Sequence, residues 1–154
     1  MCGLPCAGKT TLAKQIERER SALRLTPDEW ITSLFGADLS LEALDAARDP
    51  VETALWDLAA RILVLGVDVV LDFGFWSRAE RDDFRSRAAR LGARSELHFL
   101  DVPEEGLLTR LAARNAQLLP GTFRIDEARL TLWSRRFEPP TMDELRLPEP
   151  GGTP

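Results

Sequence analysis

The sequence predicts an α/β domain in which a mostly parallel sheet is flanked by helices. Three observations carry this expectation. Helix-period segments alternate with short β-rich runs. The strand candidates are nearly continuous apolar runs, as strands buried on both faces are. A glycine-rich loop stands directly before the first helical segment. The chain has 154 residues, 44% apolar and 29% charged, enough for one domain with a real core.

The first helix is expected to begin near Gly8 to Thr10 and to turn Leu12, Ile16 and Leu23 inward. Residues 22–25 form a short strand candidate. Thr26-Pro27-Asp28-Glu29 reads as a capped helix start, with Glu29 as the capping-box partner of Thr26. Asp49-Pro50-Val51-Glu52 reads as a second capped start. Its apolar stripe is Val51, Leu55, Leu58, Ile62 and Leu65, and it stops at Gly66. Residues 67–73 form the clearest strand. Ser77-Arg78-Ala79-Glu80 opens a helix that reaches Leu91 and ends at Gly92. Residues 96–102 give another strand, with Pro103 opening the next helix. The domain is expected over residues 1–143, with 144–154 an irregular Pro- and Gly-rich tail.

Only Met1 and Cys2 precede the glycine-rich loop, about 7 Å of extended chain against a usual strand of ~5–6 residues. Either the start lies further upstream or the central strand is truncated.

Composition narrows the partners. Acids outnumber bases 25 to 20, and the net charge of −5 argues against a protein that grips long nucleic acid over its whole surface. The longest apolar run, residues 62–67, falls far short of the ~20 needed to span a bilayer. Two cysteines, Cys2 and Cys6, are too close together to staple a fold. A cytoplasmic protein is expected.

Gly3-Leu4-Pro5-Cys6-Ala7-Gly8-Lys9-Thr10 fits the phosphate-loop pattern at every fixed position. Its glycines let successive N–H groups face a phosphate, and the following helix adds the positive end of its dipole. Lys9 is expected to reach the β- and γ-phosphates of ATP, and Thr10 to ligate Mg²⁺. The architecture is therefore that of a P-loop NTPase, a three-layer sandwich. Asp72 ends the strand 67–73, where open α/β sheets place their ligands. Phe73 follows it, where water-activating ATPases carry an acid, so phosphoryl transfer to a bound hydroxyl is favoured over hydrolysis. Arg78 stands at a helix N-terminus against the dipole, which marks it as an acceptor-binding candidate.

Taken in order, Gly-Leu-Pro-x-x-Gly-Lys-Thr-Thr (to Thr11), Thr-Pro-Asp-Glu-Trp, Leu-Asp-Phe-Gly-Phe-Trp-Ser-Arg, Arg-Leu-Ala-Ala-Arg-Asn and Phe-Glu-Pro-Pro-Thr resemble a family. It comprises small bacterial P-loop kinases of the AAA ATP-binding type, related to chloramphenicol phosphotransferase, zeta toxins and the kinase domain of phage polynucleotide kinase. The resemblance covers residues 1–143. It implies that Asp28 is the base for the acceptor hydroxyl; the residue-level alternative is a first-turn acid favoured by the helix dipole. It implies that Asp72 meets Mg²⁺-bound water or the acceptor, against a strand-end acid that caps nearby N–H groups. It implies that Arg110 and Arg114 lead into a lid, residues 117–125, and that Arg114 stabilises the transferring phosphate. Polynucleotide kinases carry an Arg where this chain has Ile31 and a lid Arg where it has Leu118, with Arg124 a substitute. A small-molecule acceptor is thus favoured over a polynucleotide. A polynucleotide or nucleotide kinase and a non-catalytic ATP-binding module remain the alternatives.

Phe73, Phe75 and Trp76 read equally as an acceptor wall or as core. His98, Trp30, Trp56 and Trp133 read as structural.

Overall fold

A computed structural model describes residues 1–36, 39–117 and 122–145. Helix α1 (Lys9–Arg20) leads to strand β1 (Leu23–Leu25), α2 (Pro27–Phe35), the long α3 (Leu41–Val64) and strand β2 (Val69–Leu71). Helices α4 (Arg78–Arg90), α5 (Glu104–Ala116), α6 (Glu127–Arg136) and the short α7 (Met142–Leu145) follow. β1 and β2 pair in parallel, with Leu23 opposite Val69 and Leu25 opposite Leu71. The fold is the predicted one, a parallel sheet flanked by helices.

The strand that should lead into the phosphate loop is a stub. Cys2 bridges in parallel to Gly74 beyond β2 and to Phe99 on the other side. Cys2 N donates to His98 O (2.8 Å), and Leu100 N donates back to Cys2 O (3.0 Å). The Met1 ammonium donates to Leu71 O at 2.7 Å. Residues 96–102 therefore run as a strand neighbour that touches the sheet only beside Cys2. A groove of about 710 Å³ opens alongside Met1, between Val69–Leu71 and residues 94–98.

The core is built from the inward faces of the helices. Ile31, Leu55, Leu107, Leu111 and Leu130 are all essentially inaccessible. Phe73 and Phe75 stack 5.7 Å apart and meet Phe84 edge-on. Leu23, expected inward, lies instead on β1 and is 37% exposed, because α1 ends at Arg20.

Two helix starts differ from expectation. α3 begins ten residues before Val51: Ser40 caps it, its Oγ accepting from Ala43 N at 3.2 Å. Pro50 lies inside the helix, where it removes one backbone bond. The helix continues because Leu44 on one side of the proline and Val51 and Leu55 on the other all bury in one core. Tertiary packing outweighs the local breaker. The stripe also fades early, and Leu65 is 79% exposed. At α2, Thr26 makes no side-chain cap. Its hydroxyl is taken by Asp72 and Arg24, and Glu29 pairs with Arg24 at 2.9 Å and with Lys14 at 3.9 Å. The cap at Ser77 forms as expected, Glu80 N donating to Ser77 Oγ (3.1 Å).

Glu144, placed by the sequence in an irregular segment, lies in α7. Glu144 is buried, and its carboxylate takes a two-pronged bond from Arg81 (2.6 and 3.1 Å). No helix among the described residues is long and apolar enough to cross a membrane.

Candidate active site

The phosphate loop sits at the C-terminal edge of the sheet, between the Cys2 stub and α1. Gly3 adopts φ +140°, and a Cβ there would stand 2.9 Å from Leu100 O. Gly8 precedes the helix at φ +102°. Gly3→Ala is expected to cost about 1–3 kcal/mol and to distort the cradle. Thermal melts with and without ATP check this: the variant should melt lower and gain nothing from the nucleotide.

Lys9 folds back over its own loop, Nζ donating to Leu4 O at 2.8 Å. Burial pushes its ammonium below the usual lysine range, with Asp72 and Asp28 partly countering. Thr10 Oγ1 donates to Asp72 Oδ2 at 2.6 Å. Burial pushes the Asp72 carboxyl up, while that bond and Lys9 pull it down. Asp72 Oδ1 is buried with no partner among the described residues. A hydroxyl beside a carboxylate whose free oxygen lacks a partner is a hard-oxygen donor set, and it fits a magnesium ion. The described residues contain no cluster of three or more His, Cys, Asp or Glu that could hold a metal by themselves. A magnesium ion here would thus depend on phosphate oxygens and water as well.

A cleft of about 810 Å³ opens over this loop and brings the remaining groups together. Asp28, in the first turn of α2, faces it, and Arg48 on α3 donates to Asp28 Oδ1 at 2.9 Å. The same guanidinium reaches Glu52 Oε1 at 3.5 Å. Arg110 holds the loop from above through the carbonyls of Ala7 (3.1 Å) and Cys6 (3.4 Å). Arg114 lies beside Cys6 Sγ (3.9 Å) and donates to Phe123 O (3.1 Å). Asn115 grips Ile125 through both side-chain atoms, 2.6 Å to its carbonyl and 3.4 Å from its N–H. The two sides of the expected lid are thereby tied together. Leu118 and Gly121 lie outside the described residues, and Arg124 is exposed.

Arg78 is placed elsewhere. It is not among the residues lining the cleft; its side chain donates to Thr141 (2.9 Å), Asp143 (2.7 Å) and Asp82 (3.4 Å). His98 sits near the groove beside Met1, 3.1 Å from Glu96 Oε1, and burial lowers its pKa.

Sequence reasoning missed the far wall. Asp45, Arg48, Asp49 and Glu52 follow i, i+3, i+4, i+7 spacing along α3 and all line the cleft. That stripe is invisible once Pro50 is read as a helix start. Glu80 joins them from α4, its Oε2 accepting from Trp76 N at 2.8 Å. Trp133, expected as core or half-buried packing, is half-buried against the core and also lines the cleft, meeting Trp76 edge-on at 5.5 Å. Arg129 lies 5.3 Å over Trp133 and pairs with Asp45 at 3.2 Å.

Burial pushes the Glu52 carboxyl up from its usual 4.5 to about 7, with Arg48 pulling the other way and Glu80 adding to the rise. A carboxyl with a raised folded pKa binds its proton more tightly in the folded state, so stability falls as pH rises from 4.5 to 7. Glu52→Gln is expected to stabilise the protein by about 1–3 kcal/mol at pH 8 and to leave it unchanged at pH 4. Melting curves at the two pH values check the sign.

A family model described as an AAA domain matches residues 1–140. No curated protein matches the chain.

Proposed function

The chain belongs to the AAA-domain family of P-loop nucleotide-binding proteins, and on that footing we propose that it is an ATP-dependent phosphotransferase acting on a small-molecule hydroxyl. The observation that supports this reading is the shared cleft. Lys9, Thr10 and Asp72 line one end of it, and Asp28, held by Arg48, faces the same space. A pure nucleotide-binding module has no use for a second, carboxylate-lined compartment beside the phosphates.

In the proposed reaction the loop amides and Lys9 hold the triphosphate of ATP. The acceptor hydroxyl gives its proton to the Asp28 carboxylate as its oxygen attacks the γ-phosphorus. The bond from that phosphorus to the β–γ bridging oxygen breaks, and ADP leaves with the electron pair. Arg48 fixes the direction of the Asp28 carboxylate. Arg114 swings from its carbonyl and thiol contacts to meet charge on the transferring group. Thr10 and Asp72 would hold the magnesium ion, which draws charge off the β- and γ-phosphates when bound. Phe75, Trp76 and Trp133 wall the acceptor compartment and keep out competing water.

The test uses γ-labelled ATP, magnesium and a panel of hydroxyl-bearing metabolites and antibiotics. Label is expected to move to an acceptor, detected as a mass gain of one phosphoryl group. ATP bound tightly with label released only as inorganic phosphate, or not at all, overturns the proposal. Oligonucleotides with free 5′-hydroxyls belong in the panel, and the acidic far wall predicts that they stay unlabelled.

A further inference from the structure

We infer that the acceptor is a hydroxyl compound carrying one or more ammonium groups, held between the acidic face of α3 and the Trp76–Trp133 wall. This inference rests on the phosphotransferase reading of the cleft and narrows its substrate class. The charges lining the cleft are sorted by end. The phosphate end carries Lys9, Lys14, Arg18, Arg110 and Arg114 against Glu29 and Asp72. The far end carries Asp28, Asp45, Asp49, Glu52 and Glu80 against Arg48 and Arg129. As formal charges these give a net +3 where a triphosphate would lie and a net −3 where the acceptor would lie, with Glu52 only partly ionised near pH 7.

Both far-end arginines already have partners. Arg48 serves Asp28 and Glu52, and Arg129 serves Asp45. An anionic acceptor would meet more acids than bases there, with Nη1 of Arg129 the one buried guanidinium nitrogen left unpartnered among the described residues. A neutral acceptor would leave those acids uncompensated when it displaced their water. An ammonium group answers both problems.

Three further observations agree. Glu52 is drawn well above the normal carboxyl range, the signature of an acid in a half-buried place short of positive charge. Trp76 and Trp133 line the same compartment, and the Arg129 guanidinium 5.3 Å over the Trp133 ring shows that this wall accepts a cation. Finally, Asp72 at the phosphate end is 6% exposed and keeps an Oδ1 with no partner among the described residues, so the same cleft is built to take a ligand beside the acceptor compartment.

Binding tests the inference, and label transfer tests the reading beneath it. Calorimetry with a non-hydrolysable ATP analogue present would use glucosamine, ethanolamine and a diamino cyclitol, each beside its N-acetylated form. The amines are expected to bind at least about tenfold more tightly than their acetylated partners. Glu52→Gln and Asp49→Asn are each expected to weaken amine binding several-fold. Because Asp49 is an exposed residue, D49N keeps the test valid if E52Q perturbs folding. Equal affinity for amines and their acetylated forms, no affinity for any amine, or affinity unmoved by both variants overturns the inference. Phosphorylation of neutral acceptors alone also overturns it, while leaving the phosphotransferase reading intact. Amine binding that both variants weaken, with no label transferred, upholds a cation site and overturns the phosphotransferase reading instead.

Discussion

Replacing Arg81 with alanine is expected to destabilise the protein by about 3–5 kcal/mol, among the largest effects any single substitution here should produce. The Arg81 side chain is buried, and every nitrogen of its guanidinium is used. Nε and Nη2 donate to Glu144, while Nη1 donates to Phe75 O (3.2 Å) and Glu138 O (2.9 Å). Removing it strips the buried Glu144 carboxylate of both guanidinium bonds, leaving it Thr141 and a 3.9 Å contact with Arg85, and takes one donor each from Phe75 O and Glu138 O. For a domain of this size the melting temperature should fall by roughly 10 °C. The double variant Arg81→Met with Glu144→Leu should recover much of the loss, because no charge then remains buried.

The acid limb gives an independent check. Glu144 is held down to about 2, chiefly by its bond to Arg81. A carboxylate with a lowered folded pKa contributes stability that is complete above its usual 4.5 and disappears as pH falls toward 2. The parent should therefore lose stability across that window. Glu144→Gln should start lower and lose less. An Arg81→Ala protein that melts within about 1 kcal/mol of the parent would show that this junction does not anchor the C-terminal segment.

Asp28→Asn carries the second large effect, on chemistry rather than stability. Asparagine keeps a carbonyl oxygen where Oδ1 accepts from Arg48, so α2 and α3 should stay docked. What it loses is the ability to take a proton. ATP affinity should stay within about twofold, while label transfer should fall by about 10²–10⁴-fold. Calorimetry and single-turnover assays on the same sample separate the two. Transfer within threefold of the parent would remove Asp28 from the role of base. Arg48→Lys should fall between the two proteins, since a point ammonium holds a carboxylate less rigidly than a guanidinium fork.

Much of the site could be read from residues adjacent in the chain. The phosphate loop is contiguous, and its pattern fixes where Lys9 and Thr10 must stand. Asp72 follows from the apolar strand it ends. Asp28 was found beside its Thr-Pro start, although that start works differently from the local rule. Thr26 was expected to cap its own helix, but a buried carboxylate 46 residues away claims its hydroxyl. Long-range partners also explain the other differences. Arg78 reads as an acceptor-binding candidate from its place at a helix N-terminus, whereas Thr141 and Asp143, which hold it, are more than sixty residues away. Glu144 looked like tail because Arg81 is equally remote. The face of α3 that lines the cleft was hidden by Pro50. A breaker that is decisive in an isolated peptide is overruled here by burial on both sides.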